Sequence, residues 1–288
     1  MKSKTYLLKN NSNKKIEDIT AIILTHNEER HIERCILSIK KFVKKIIIID
    51  SYSSDKTIQI CKKFKSDVQI YQSKFTNHSQ QLNKGLARAS IKTKWVLRID
   101  SDEILESSFY KKFKMIKNIK EYNALSIMIE HNFLGNRIKY GGVYPQQQIR
   151  MWRKNQGKFD NKPVDEKIIM KKGKIYYSKL KIIDHNLKDF SFWLKKHKKY
   201  ANNEANLYFM NKKNKITNKL DNKFQEKILY YKFPIFIRPC LLFFYRYIIK
   251  KGFLDGIVGI KFNIMHSLYY RFLIDYLILQ KFFTFNKK

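Results

Sequence analysis

The first apolar run, Ile19 to Leu24, has the length and composition of a strand, and it follows a polar, basic stretch over residues 1–18. It gives way to Thr25-His26-Asn27-Glu28-Glu29, after which Ile32, Cys35, Ile36 and Ile39 recur at helical spacing. Ile46 to Ile49 is a continuous β-branched run ending at Asp50. Ser51 to Ser54 predict a turn, and Ser54 or Asp55 can cap a helix carrying Ile58, Cys61 and Phe64. Val68 to Tyr71 reads as a third strand, a helix with Leu82, Leu86 and Ala89 follows, and Trp95 to Ile99 is a fourth strand ending at Asp100. This alternation predicts an α/β fold around a mostly parallel sheet flanked by helices. Near-continuous apolar strands fit a sheet buried on both faces. Further on, Ala124 to Glu130 and Ile149 to Trp152 have strand character, Gly141-Gly142 marks a turn, and Val164-Asp165-Glu166 lies in a loop after Pro163. From about residue 190 the pattern turns helical, aromatic and basic.

Ligands of such sheets bind beyond the carboxyl ends of the strands. Polar clusters stand at those ends: Thr25 to Glu28, Asp50 to Asp55, and Asp100 to Glu103. In Asp100-Ser101-Asp102 the carboxylates are two apart at a strand end, so a turn can aim both into one cavity. Mg²⁺ and Mn²⁺ prefer such oxygen ligands and bridge them to substrate phosphate. Taken alone, the tripeptide is better read as a solvated turn whose Asp102 caps a following helix. No Walker-type or dinucleotide-type glycine loop is present, so phosphates would rely on a cation and nearby Lys or Arg.

Composition narrows the class. A hydrophobic share of 44% over 288 residues supports a packed core and argues against disorder. Sixty Lys+Arg against 24 Asp+Glu leave a formal charge of +36, which points to a polyanionic partner, an anionic membrane face or nucleic acid. Lysines are spread along the whole chain, so part of that charge is compositional bias. Cys35, Cys61 and Cys240 have neither metal spacing nor disulfide pairing and fit a reducing compartment. The first residues hold no apolar run of signal-peptide length, and the most apolar C-terminal stretches are interrupted by Arg238, Arg246, Lys261, Arg271 and Asp275. Neither secretion nor membrane spanning is expected.

The ordered set Ala21-Ile22-Ile23-Leu24-Thr25-His26-Asn27-Glu28, Ile49-Asp50-Ser51-Tyr52-Ser53-Ser54-Asp55-Lys56-Thr57, Gln80-Gln81-Leu82-Asn83 and Trp95 to Glu103 resembles family-2 inverting glycosyltransferases of the GT-A fold. The resemblance is to the branch that builds lipopolysaccharide core oligosaccharides, and it continues through Val164-Asp165-Glu166, His185 and Gly252 to Gly256. One departure is Tyr52, which stands where the family usually has a small residue, often Gly.

The resemblance implies roles. Thr25, Asn27 and Glu28 would line the nucleotide pocket, and Asp50 would accept hydrogen bonds from base or ribose. Asp55 would be either a donor contact or a helix cap. Gln81 and Asn83 would face the donor or occupy an exposed helix face, and Arg150 would help hold diphosphate or acceptor. Asp102 would ligate the metal, Mg²⁺ or Mn²⁺, and Asp100 would reach ribose or the metal through water. His185 would reach the metal or diphosphate, or be a structural histidine. Glu166, with Asp165 second, would be the base that takes the acceptor proton. A processive synthase would show Gln-x-x-Arg-Trp and spanning helices, so addition of one sugar is expected.

These readings divide the chain into a basic leader (1–18), a GT-A catalytic domain (19–188) and a C-terminal helical extension (189–288). The extension mixes aromatics with Lys and Arg, which fits interfacial helices on an anionic membrane, a helical subdomain, or a dimer contact. The expected enzyme takes a UDP-sugar or related donor, serves a glycolipid or oligosaccharide acceptor, and lies on the inner face of a bacterial cytoplasmic membrane. The rivals are a nucleic-acid-binding protein and a catalytically inactive nucleotide-sugar-binding module. Against the first, the basic residues are diffuse and no specific nucleic-acid motif is present.

Overall fold

β-Branched side chains suit a pleated surface, and the isoleucine-rich runs form the central strands. The computed structural model describes residues 17–160, 167–214 and 229–285. Of the basic leader, only Glu17 and Asp18 fall within that range, and they open the first strand. Glu17–Thr25 (β1), Val43–Asp50 (β2), Val68–Gln72 (β3) and Trp95–Arg98 (β4) run parallel in the order β3-β2-β1-β4. Glu103–Leu105 (β5), Tyr122–Phe133 (β6), Gln146–Arg153 (β8) and Lys174–Asp184 (β11) extend the same sheet as β4-β8-β6-β11-β5, with Asn136–Arg137 (β7) paired to β6. Gly157–Phe159 (β9) and Ile168–Met170 (β10) form a separate antiparallel ribbon.

The sheet is mixed rather than mostly parallel. β8 lies antiparallel to both β4 and β6, and β5 is antiparallel to β11, whereas β11 is parallel to β6. Among the described residues, the parallel pairs of the first four strands are joined by helical crossovers. These helices are Ile32–Ile39 (α1), Thr57–Lys62 (α2) and His78–Arg88 (α3).

Side chains alternate across a strand, so each strand feeds two cores. Ala21, Ile23, Ile46 and Ile48 pack with Ile32, Cys35, Ile36 and Ile39 of α1 on one face. Ile22, Ile47, Ile49 and Val96 pack with Leu82 of α3 and Trp152 on the other. Each such fully buried isoleucine stabilises the fold by about 1.5–3 kcal/mol. Phe109–Lys114 (α4) adds Phe109 and Phe113 to the α1 face.

The chain divides into two compact units, one comprising Met1–Asn132 and Pro145–Leu187, the other Phe133–Tyr144 and Lys188–Lys288. Described helices of the second unit are Phe190–Asn214 (α5), Ile237–Phe244 (α6), Gly256–Asn263 (α7) and Tyr270–Phe285 (α8). π-Helical turns, Tyr245–Ile249 and Ile264–Tyr269, prolong α6 and link α7 to α8. Ala201 and Ala205 of α5 pack against Ile274 and Ile278 of α8. Phe133 and Ile138 pack with Phe262.

Candidate active site

The polar clusters sit at the carboxyl ends of β1, β2 and β4, as the sequence expects. Thr25 and Asp50 end adjacent parallel strands in register, and the Thr25 hydroxyl donates to Asp50 Oδ1 at 3.0 Å. Asp50 is fully buried. Its carboxylate also accepts from the Ser53 amide at 2.9 Å, the Ser53 hydroxyl, and Gln72 Nε2 at 3.3 Å. The carboxylate therefore braces the β2 turn from within the protein.

Asn27 and Tyr52 face each other's loops with φ of 56° and 58°. Asn tolerates this left-handed region because its short side chain bonds locally. Here Asn27 Oδ1 accepts from the Ser54 amide at 2.8 Å, and the Asn27 amide donates to Ser53 Oγ at 2.9 Å. Tyr52 has no such help. Its left-handed backbone is the physical reason a small residue suits that position, and its ring is 59% exposed at the rim.

Asp55 braces the same pair of loops. It accepts from the Glu29 amide at 3.1 Å and from the Thr57 amide at 2.9 Å, as a cap at the start of α2 would. The Glu28 amide donates to Thr57 Oγ1 at 2.7 Å. His31, fully buried, accepts the Leu187 amide at Nε2, so its proton lies on Nδ1 and is donated to Glu28 Oε2 at 2.6 Å.

Gln81 and Asn83 lie on α3. Gln81 is buried, with its amide nitrogen donating to Ser51 Oγ at 2.8 Å and Ser73 O at 3.1 Å, while its Oε1 is buried with no protein partner. Asn83 makes a strand-like pair with the Phe159 backbone, donating to its carbonyl and accepting its amide at 3.0 Å each. It thereby anchors β9, whose chain leads toward residues 161–166. Asp165 and Glu166 lie outside the described residues.

At the end of β4, Asp100 accepts from Arg98 Nε at 3.2 Å and from Arg150 Nη1 at 3.3 Å. Arg150 is buried on β8 and also pairs with buried Glu103 at 2.6 Å. Burial alone would raise the Asp100 pKa, but the Arg98 and Arg150 charges and their hydrogen bonds outweigh it and hold this carboxyl far below the usual range. Burial pushes Glu103 up to about 8, with Arg150 opposing and the Asp100 charge adding. Arg150 thus sits beneath the Asp100–Glu103 turn as an internal strut.

Asp102 follows Asp100 on the outer side of that turn. Its carbonyl accepts from the His185 amide at 3.1 Å and from Arg34 Nη2 at 3.0 Å, and its Oδ2 accepts from Asn186 Nδ2 at 3.0 Å. His185 extends from the end of β11, with Nδ1 3.3 Å from Arg34 Nη1 and its carbonyl bonded to Arg34 Nη2. Burial, then the Arg34 charge, lowers the His185 pKa, so the ring is neutral near pH 7, as a metal ligand must be. Among the described residues, no group of three or more His, Cys, Asp or Glu is placed to hold a metal ion. Asp102 with His185 beside it fits a cation whose remaining ligands are substrate oxygens, the usual habit of Mg²⁺. It does not fit an all-protein cage.

The sequence assigned no role to Arg34, Arg98, His31, Ser53 and Asn186, although Arg98 and Ser53 stand inside the quoted motifs. Helical spacing from Ile32 and Cys35 placed α1 but gave no sign that Arg34 reaches across to the Asp102 turn. Ser53 stands within the motif after β2 and Asn186 follows His185, and that placement was the available signal.

This fold, with polar clusters at the ends of β1, β2 and β4, is the GT-A fold of glycosyltransferases. The profile described as "Glycosyl transferase family 2" matches residues 20–173, more than half of the chain, and the chain belongs to that family. The SPbeta prophage-derived glycosyltransferase SunS of Bacillus subtilis (strain 168) is 30% identical over 112 residues, covering 38% of this chain and 26% of that protein. An uncharacterized glycosyltransferase of Rickettsia bellii (strain RML369-C) is 32% identical over 114 residues, covering 38% of this chain and 37% of the relative. The chain therefore spans well under half the length of these relatives. Glucosyl-3-phosphoglycerate synthase from Mycobacterium tuberculosis, solved with Mn²⁺, uridine diphosphate and glucosyl-3-phosphoglycerate, aligns at 22% identity and a TM-score of 0.32 over 40% of this chain and 44% of that one.

Proposed function

We propose that the protein transfers one hexose or heptose from a nucleotide-diphosphate sugar, with UDP favoured, to a hydroxyl of a lipopolysaccharide core or other glycolipid. The observation that carries this reading is the Asp102 turn. Its backbone is pinned by His185 and Arg34 at the carboxyl edge of the sheet, next to the braced loops after β1 and β2. Those loops would receive the nucleoside through Thr25, Asn27, Glu28 and the buried, unpartnered Gln81 Oε1. Asp50, Asp55 and Asn83 would act by holding the loops in shape. Asp100, kept ionised by Arg98 and Arg150, would accept from ribose or a bound water.

A bound Mg²⁺ or Mn²⁺ would offset the charge on the departing diphosphate. Asp102 would be its main protein ligand, with His185 and Asp100 nearby. The acceptor oxygen would form its bond to the anomeric carbon as the bond to the diphosphate oxygen breaks. Glu166, or Asp165, would take the hydroxyl proton, and attack from the face opposite the leaving diphosphate would invert the anomeric carbon. Among the described residues no helix is long and apolar enough to cross a membrane, and we place the enzyme peripherally on the inner face of a bacterial cytoplasmic membrane.

Calorimetry with UDP and Mn²⁺ tests the donor site. Asp102→Asn should weaken Mn²⁺-dependent UDP binding by at least about tenfold, and EDTA should have the same effect on the native protein. Equal UDP affinity in all three states would remove the metal-bridged reading. Product anomeric configuration by NMR, with Glu166→Gln as the slow variant, tests inversion and the base.

A further inference from the structure

Most large apolar side chains of a folded protein find partners, yet the second unit carries two exposed apolar stripes on consecutive elements. Leu241, Phe244 and Ile248, at i, i+3 and i+7, are 45%, 56% and 43% exposed along α6 and its π-helical extension. Phe253, Ile257 and Ile260, at i, i+4 and i+7, are 44%, 74% and 36% exposed along Gly252–Asp255 and α7. Between them the chain reverses at Lys250-Lys251, both exposed. The reversal is tightly built. A Cβ on Gly259 would lie 2.3 Å from the Gly252 carbonyl oxygen, so only glycine lets α7 sit this close to the turn. The stripes are thus carried on a preformed hairpin.

Charge identifies the occupant. Residues 237–264 contain one acid, Asp255, and its carboxylate accepts the Lys139 and Tyr140 amides at 3.1 Å and 2.9 Å. Arg238 is buried in a pair with Asp275. Lys250, Lys251 and Lys261 remain exposed around the apolar stripes. A second copy of this chain would set lysine against lysine. A nucleic acid would use the lysines and leave most of the apolar stripes in water. An anionic bilayer matches both features, because acyl chains accept the stripes while headgroup phosphates meet the lysines.

We propose that the α6–α7 hairpin is the membrane-docking element, laying its two apolar stripes into the headgroup boundary of an anionic bilayer with Lys250 and Lys251 on the lipid phosphates. This rests on the peripheral-membrane part of the reading above and is independent of the sugar transferred.

The test is co-sedimentation of the full chain with vesicles of phosphatidylglycerol and phosphatidylcholine in equal parts, and with phosphatidylcholine alone. The native protein should sediment with the mixed vesicles and much less with the neutral ones. Serine at Phe244, Ile248, Phe253 and Ile257 together should weaken binding at low salt by more than about tenfold. Glutamine at Lys250 and Lys251 should weaken it roughly fivefold for each lysine, and less at high salt. A single Ile257→Trp variant, in which folding is not at issue, should show a blue-shifted emission on addition of mixed vesicles. Unchanged sedimentation of the serine variant, or no blue shift, would show that diffuse charge elsewhere binds lipid and would overturn the proposal. So would a native dimer in sedimentation velocity that the serine variant dissolves. UDP calorimetry on the native protein separates the two readings, since absence of UDP binding there strikes the transferase assignment and leaves the docking proposal standing.

Discussion

Tyr52 holds φ of 58° with an exposed ring, and nothing in the loop supports that backbone as Ser54 supports Asn27. A left-handed non-glycine residue costs roughly 1–2 kcal/mol, and glycine returns part of that as chain entropy. Tyr52→Gly should therefore raise stability by about 0.5–1 kcal/mol, read from thermal melts, whereas Tyr52→Ala should gain nothing because the strain stays. At His131 the prediction concerns pH. Its Nδ1 faces Asp184 Oδ2 at 2.9 Å and its Nε2 faces Gln146 Oε1 at 2.7 Å, two acceptors that suit a doubly protonated ring. Burial would lower its pKa, but these partners raise it above the ordinary 6.5. A raised folded pKa gives stabilisation that is fully present below about 6.5 and is lost as pH rises through the folded value. His131→Gln should lower the melting temperature more at about pH 5.5 than at about pH 8.5, and an equal deficit at both would contradict this. At this scale the sequence marked the polar strand ends but not the direction of their side chains. Asp50 and Asn83 stand in motif positions and Arg150 was singled out separately, yet no linear pattern shows that their hydrogen bonds run to Ser53, Phe159 and Glu103.

The elements show the same limit from another side. The four parallel strands were legible because each is a short apolar β-branched run closed by polar residues. β11 was not, because its lysines alternate with apolar residues and it reads as a charged stretch. Nor does any residue pattern state that β8 inserts antiparallel between β4 and β6, which is what makes the sheet mixed. Helix α3 was legible as amphipathic, and its approach to the sheet depends on Gly85, whose added Cβ would lie 1.8 Å from Ile49 Cδ1. Gly85→Ala should cost about 1–2 kcal/mol, overpacking outweighing the helix-propensity gain. Adding Ile49→Val removes the clashing methyl, so the double variant should be more stable than the two single effects summed. Strict additivity in chemical denaturation would show that α3 does not press on β2 as described.

Across the whole molecule, the strong positive charge reads differently once the chain is folded. Some of it is internal: Arg150 holds the Asp100 turn, and Arg238 is buried against Asp275, with Tyr231 4.6 Å beneath its guanidinium. Arg238→Ala strands a buried carboxylate and should cost about 3–5 kcal/mol, whereas Arg238→Met with Asp275→Leu should recover most of that loss, measured by denaturant unfolding. The C-terminal lysines around exposed apolar stripes form a surface pattern that composition alone left open between membrane, subdomain and dimer. Family membership and the braced strand ends together favour sugar transfer over nucleic-acid binding. The measurement that tests this most directly is nucleotide release from a panel of UDP-, GDP-, ADP- and dTDP-sugars by the purified protein, with Mn²⁺ or Mg²⁺ and with EDTA, alongside Asp102→Ala. Slow release from one donor, abolished by EDTA and by the substitution, is the predicted result. Absence of turnover on every donor, together with absence of nucleotide binding in calorimetry, would contradict it.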